Sequence, residues 1–164
     1  MSRLFISHNS ADNRITEEIR QRLEKAGHHC VYVDFDPEQG IAAGQDWERD
    51  LYRELRACRA LIILCSEASM KSLWCFAEVT HAKSMGKPVI PVKVEECQVH
   101  SILSRHQVID WTQDPEQAWH RLQRGLRQAG IDPRDSFNWD GTRPPYPGLM
   151  SFQEEDAAIF FGRQ

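Results

Sequence analysis

The run Ala60-Leu61-Ile62-Ile63-Leu64 constrains this chain more than any other feature. Its apolar residues follow one another without alternation, so neither face is left for water. That pattern belongs to a central parallel strand covered on both sides by helices. Leu4-Phe5-Ile6 is a shorter run of the same kind, stopping at the polar loop Ser7-His8-Asn9-Ser10. Cys30-Val31-Tyr32-Val33, Pro88 to Val94 and Gln107 to Asp110 supply three further candidate strands. The prolines at 88 and 91 place the fourth strand near a sheet edge, because proline cannot donate to a ladder.

Helical periodicity fills the intervals. Asp12 is a cap candidate, Ile15, Ile19, Leu23 and Ala26 share one face behind it, and Gly27 closes that helix. Trp47, Leu51 and Leu55 mark a second helix, and a third runs from Ser72 to Met85 with Gly86 as its stop. Ser66 to Ser72 reads as a polar loop. Asp114-Pro115-Glu116-Gln117 opens the last helix with a cap, a proline at the first position and a capping-box glutamine. Ala118, Leu122 and Leu126 supply its buried face before Gly130. The order β-α-β-α-β-α-β-loop-β-α predicts an α/β fold of the flavodoxin-like kind: a five-stranded parallel sheet, order 2-1-3-4-5, with helices on both faces.

The texture changes after Gly130. Residues 131–148 form a proline- and glycine-rich linker, and 149–164 turn apolar again, as the first turns of a following domain would. A chain of 164 residues with 41% hydrophobic content can fill one core. Its net charge of −4 argues against binding nucleic acid by phosphate neutralisation. No apolar run approaches the roughly 20 residues that span a bilayer. Residues 1–7 are too short and too soon polar for a signal peptide. The five cysteines form no CxxC pair, and His28-His29 lacks a third ligand, so no metal site is expected. Thiols in a reducing, cytoplasmic setting are the simpler reading.

In a sheet of order 2-1-3-4-5 the ligand crevice opens between the carboxyl ends of strands 1 and 3. The loops Ser7 to Ser10 and Ser66 to Ser69 border it, with the segment Asp34 to Gln45 beside them. The start of the third helix reaches the same place with Ser72-Leu73-Trp74-Cys75-Phe76-Ala77-Glu78. Trp74 and Glu78 are four apart and share a helical face. Spacing alone leaves two readings. In one, an indole and a carboxylate face a ligand with a π-surface and developing positive charge. In the other, Trp74 is core and Glu78 is solvated surface.

Leu4-Phe5-Ile6-Ser7-His8 resembles the first-strand box of the TIR (Toll/interleukin-1 receptor) domain family. Ser72-Leu73-Trp74-Cys75-Phe76-Ala77-Glu78 resembles that family's Ser-x-Trp-Cys-x-x-Glu signature, and Asp34 to Trp47 its long loop after strand 2. The resemblance covers residues 1–130. It implies either an adaptor acting by TIR–TIR contact or an enzyme that cleaves NAD+ at the nicotinamide–ribose bond. For the enzyme, Glu78 takes the catalytic place by motif position. Ser7, His8, Asn9, Asp34, Trp47 and Trp74 are the candidate substrate contacts, and Arg49, Lys71 or a neighbouring subunit the candidate phosphate contact. Gly40 and Gly44 do not form a GxGxxG turn, so NAD+ would be a substrate and not a bound cofactor. Cys75 has no visible base to activate it, which favours packing.

The segment from Pro145 to Arg163 resembles the opening of STAND-type NTPase domains, although no Walker A motif occurs in it. The two resemblances together imply a bacterial sensor of antiphage immunity, switched on by self-association. A response-regulator receiver shares the strand order. It needs an aspartate at the end of strand 3 and an acidic pair after strand 1, where this chain has Cys65-Ser66 and Ser7-His8.

Overall fold

A computed structural model describes residues 3–33 and 47–133, with the backbone alone for 47–50. The strands are β1 (Leu4–Ser7), β2 (Val31–Val33), β3 (Ala60–Cys65), β4 (Val89–Lys93) and β5 (Ile109–Asp110). All pair in parallel, in the order β2-β1-β3-β4-β5. The helices are α1 (Asn13–Lys25), α2 (Trp47–Ala57), α3 (Glu67–Lys71), α4 (Leu73–Ser84) and α5 (Pro115–Gln128). The flavodoxin-like order expected from the apolar runs is the order found. The linker 131–148 lies outside the described residues from 134 onward, and so does the whole segment 149–164.

Strand parity sorts the core into two layers. Leu4 and Ile6 of β1, with Ala60, Ile62 and Leu64 of β3, face α1 and α5 and pack with Ile19, Leu23, Leu122 and Leu126. Phe5, Leu61, Ile63 and Cys65 face the other way and pack with Leu51 and Leu55 of α2 and Cys75, Val79 and Ala82 of α4. Every residue of β3 is fully buried. Each of its four large aliphatic side chains contributes roughly 1.5–3 kcal/mol on burial, so this strand alone supplies much of the apolar drive.

Pro91 sits inside β4 at no cost to the ladder. Leu61 N–H donates to the Pro88 carbonyl (2.9 Å) and Val94 N–H to the Cys65 carbonyl (3.0 Å), so the even-numbered residues of β4 bond to β3. The proline nitrogen therefore points toward β5, whose pairing begins only at Val92. The proline-bearing strand is next to the edge.

Two local expectations are corrected. The stretch Ser66 to Ser72, expected as a loop, holds the one-turn helix α3. Ser66 Oγ accepts from Ser69 N–H (3.1 Å) while Ser69 Oγ accepts from Ser66 N–H (2.8 Å), a capping box in which a second serine replaces the usual glutamate. Asp12, expected to cap the first helix, makes no side-chain cap there. Its carboxylate is taken by Ser66 instead, and Asn9 caps the 3-10 turn Ser10–Asp12 by accepting from Ala11 N–H (3.0 Å).

Gly27 ends α1 with φ of +96°, and a Cβ there would lie 3.1 Å from Pro133 Cβ. The left-handed backbone and the close approach both make a side chain there strained. Gly27→Ala is expected to lower stability by about 1–2 kcal/mol, read as the shift of a urea midpoint; an unchanged midpoint would contradict this account of the turn.

β5 is only two residues long and is fastened by charge. Lys93 Nζ lies 2.8 Å from Asp110 Oδ2 and 2.9 Å from Glu96 Oε1, and Thr112 N–H and Oγ1–H both donate to Asp110. The Lys93 ammonium, helped by Thr112, holds the Asp110 carboxyl down to about 2, against an ordinary 3.8. A carboxyl depressed on folding stabilises the fold above its unfolded pKa, and that contribution fades as pH falls through the folded value. Wild type should therefore lose more thermal stability than Asp110→Asn between about pH 4 and about pH 2. Equal losses in thermal melts would show that the clamp contributes nothing.

Candidate functional site

The carboxyl ends of β1 and β3 carry a polar cluster inside an otherwise apolar region. Ser7 ends β1 on the same face as Phe5, the face that α4 covers. Glu78 lies in the second turn of α4 and comes down onto that position. Its side chain is only 2% exposed, and Ser7 Oγ–H donates to Glu78 Oε2. α4 reaches this place because Ser72 caps it, accepting from Cys75 N–H (3.3 Å), directly after α3.

Both halves of the core-and-surface reading are thereby reversed: Glu78 is the buried member, while Trp74 is 42% exposed. Leu73 and Phe76 are exposed too, so α4 opens with an apolar patch facing outward beside a carboxyl group facing inward. Phe76 meets the His100 ring at a centroid distance of 5.0 Å. A buried carboxyl costs stability unless it is hydrogen-bonded, and the hydroxyl of Ser7 supplies that bond to Oε2.

The other candidates divide. His8 is buried, but its Nε2 is 2.8 Å from Asn13 Oδ1, which turns the ring toward α1 and away from the α4 side. The Asn9 side chain caps the turn that follows. Lys71 is exposed and pairs with Glu67 at 2.5 Å. Trp47 begins α2; its side chain, that of Arg49 and the whole of Asp34 lie outside the described residues. Cys75 is packed in the core beneath α4. Burial pushes the neighbouring Cys65 thiol up to about 12 and raises the Cys97 thiol as well, so neither is an activated nucleophile.

Reading the sequence missed one element of the site. Ser66 Oγ–H donates to Asp12 Oδ2 (2.6 Å) while also capping α3. This bond ties the loop after β1 to the loop after β3, the two segments that border the crevice. The Ser66-x-x-Ser69 spacing was the available signal for the cap; nothing in the sequence pairs Asp12 with Ser66.

A TIR domain profile matches residues 4–135. The chain belongs to the TIR domain family. Among solved structures it is similar to the TIR domain of the Toll-related receptor TRR-2 from Hydra magnipapillata. The TM-score is 0.61 at 18% identity, covering 77% of this chain and 99% of that one. It is also similar to a prokaryotic SEFIR domain, with TM-score 0.55 at 14% identity over 90% of this chain and 100% of that one. At these identities the likeness is one of fold. No curated protein sequence matches this chain. Among the described residues of this TIR domain, no helix is long and apolar enough to cross a membrane.

Because Ser66 both caps α3 and bridges to Asp12, Ser66→Ala should lower stability by about 1–2 kcal/mol. Urea denaturation measures this, and a change below a few tenths would mean that the two loops are held by something else.

Proposed function

We infer that this TIR domain is an NAD+ glycohydrolase in which Glu78 stabilises the charge that develops on the ribose. The observation that carries this reading is a glutamate buried at the carboxyl ends of β1 and β3 and anchored by the Ser7 hydroxyl. A helix surface offers water to every glutamate, and packing alone gives no reason to turn this one inward.

The chemistry needs only one carboxylate. Most glycosidases add a proton to a poor leaving group. The nicotinamide of NAD+ is already cationic. When the bond from its ring nitrogen to the anomeric carbon breaks, the electron pair goes to the ring and nicotinamide departs neutral. The positive charge passes to the sugar as an oxocarbenium ion. A carboxylate in a dry site beside the ribose stabilises that ion far more than it would in water. Attack by water then gives ADP-ribose and releases a proton; attack by an adenine nitrogen gives a cyclic isomer. The proposed substrate contacts are Ser7 after β1, Asp34 and Trp47 around the loop after β2, and Trp74 as a wall against water; His8 and Asn9 reach the substrate only by releasing Asn13 and Ala11 N–H.

Self-association is part of the same proposal. Leu73, Trp74 and Phe76 expose apolar surface at the mouth of the site, and a second TIR domain seated there would cover it and exclude water. Clustering by a following STAND-type domain would then switch on NAD+ loss, in the cytoplasm and as part of antiphage defence. The same exposed patch also favours a second reading, a non-catalytic TIR–TIR interaction module.

Nicotinamide release from NAD+, measured on protein clustered through a fused oligomer, separates the two. Glu78→Gln keeps an acceptor for Ser7 and removes the charge, so the fold should survive and release should fall ~10²–10³-fold. Equal release by both proteins would remove Glu78 from the reaction. No release by clustered wild type would leave the interaction module.

A further inference from the structure

A cavity among the described residues lies at the end of the sheet opposite Glu78. It has a volume of about 480 Å3 and opens between α5, the start of β4 and the segment leading into β5. Ligand pockets of small molecules occupy roughly 300–1,000 Å3. Its floor is apolar, with Ile90 and Val108, and its rim carries Arg105, Arg121 and Arg124. No acidic side chain lines it, although the chain as a whole carries a net charge of −4.

Four arginines elsewhere in the fold are neutralised. Arg3, Arg20, Arg22 and Arg53 each have a carboxylate within 4 Å. Arg105, Arg121 and Arg124 form no ion pair or hydrogen bond among the described residues. Arg121 and Arg124 are three apart on one face of α5, a spacing at which like charges weaken a helix. His106, on the same rim, has a buried Nδ1 with no hydrogen-bond partner.

Gly125 is the fourth sign. It stands in the interior of α5, where glycine is a poor helix former. Neither backbone nor packing asks for it: its φ is not in the left-handed region, and a Cβ would meet only Ile90 Cδ1, at an ordinary 3.8 Å. What the missing side chain does is keep the cavity open between the arginines and the apolar floor.

We propose that this cavity binds a small phosphorylated molecule with a flat apolar ring, of the nucleoside monophosphate class. The ring lies over Ile90 and Val108 beside Gly125, and the guanidinium groups of Arg105, Arg121 and Arg124 hold the phosphate through charge-assisted hydrogen bonds. The site is separate from Glu78 and does not depend on NAD+ cleavage.

The test is an NMR titration of the whole chain with adenosine 5′-monophosphate, adenosine and inorganic phosphate, following the backbone amides of Gln107, Gly125 and Gln128. Adenosine monophosphate should give saturable shifts at these amides with Kd of about 1 mM or tighter. Adenosine and phosphate alone should each bind at least roughly tenfold more weakly, since each keeps only part of the contact. Gly125→Leu fills the cavity and should abolish the shifts. Arg121→Glu with Arg124→Glu changes only exposed side chains and should weaken binding more than roughly tenfold. Absence of saturable shifts at these amides, shifts confined to Ser7 and Glu78, or equal affinity in the charge-reversed protein would each overturn the proposal.

Discussion

β3 leaves no surface for water, and the architecture follows from covering it. A strand whose alternate residues are all apolar must have a helical layer on each side. Ala60, Ile62 and Leu64 are met by α1 and α5, while Leu61, Ile63 and Cys65 are met by α2 and α4. Once β3 is central, β1 beside it inherits the same two-sided burial. The residue that ends β1 must then point its side chain into one helical layer. Ser7 points into the α4 layer, and its hydroxyl joins it there to Glu78. The site is thus a consequence of strand parity meeting a helix that carries a glutamate at the matching height.

The two ends of the sheet do different work. The carboxyl end spends its polar groups on one another: Ser7 with Glu78, Ser66 with Asp12 and Ser69, Asn9 with the turn after it. These bonds fix the loops around a buried acid. The amino end of β4 and β5 leaves Arg105, Arg121 and Arg124 without a carboxylate around an open cavity. A fold of this class places its chemistry at the carboxyl ends because the loops diverge there. The opposite end is open to a separate use, because α5 carries arginines and a glycine on the face it turns toward β4.

Much of this was legible beforehand. The apolar runs named all five strands, and their alternation with amphipathic stretches gave the sheet order. The Trp-Cys-x-x-Glu box pointed to Glu78 among 24 acidic residues. What failed to show was the part made by single hydrogen bonds between distant residues. Asp12 has the right chemistry for a cap, and only the arrival of Ser66 from 54 positions away diverts it. α3 is too short to carry a period, so its capping serines read as loop. Trp74 and Glu78 share a face by spacing, but spacing cannot say which of them the neighbouring strand will cover.

The sequence by itself determined the layers and the order of strands, because both follow from local periodicity, which is a property of consecutive residues. It also set an acid and an indole four residues apart on one face of the third helix. Only the tertiary structure decided that the acid turns inward onto Ser7 while the indole stays partly exposed. Only the tertiary structure, too, collected three arginines from α5 and the segment before β5 around one cavity. Contacts of that kind depend on how far each helix slides along the sheet, and that distance is set by the packing of the whole core, not by any one stretch of residues.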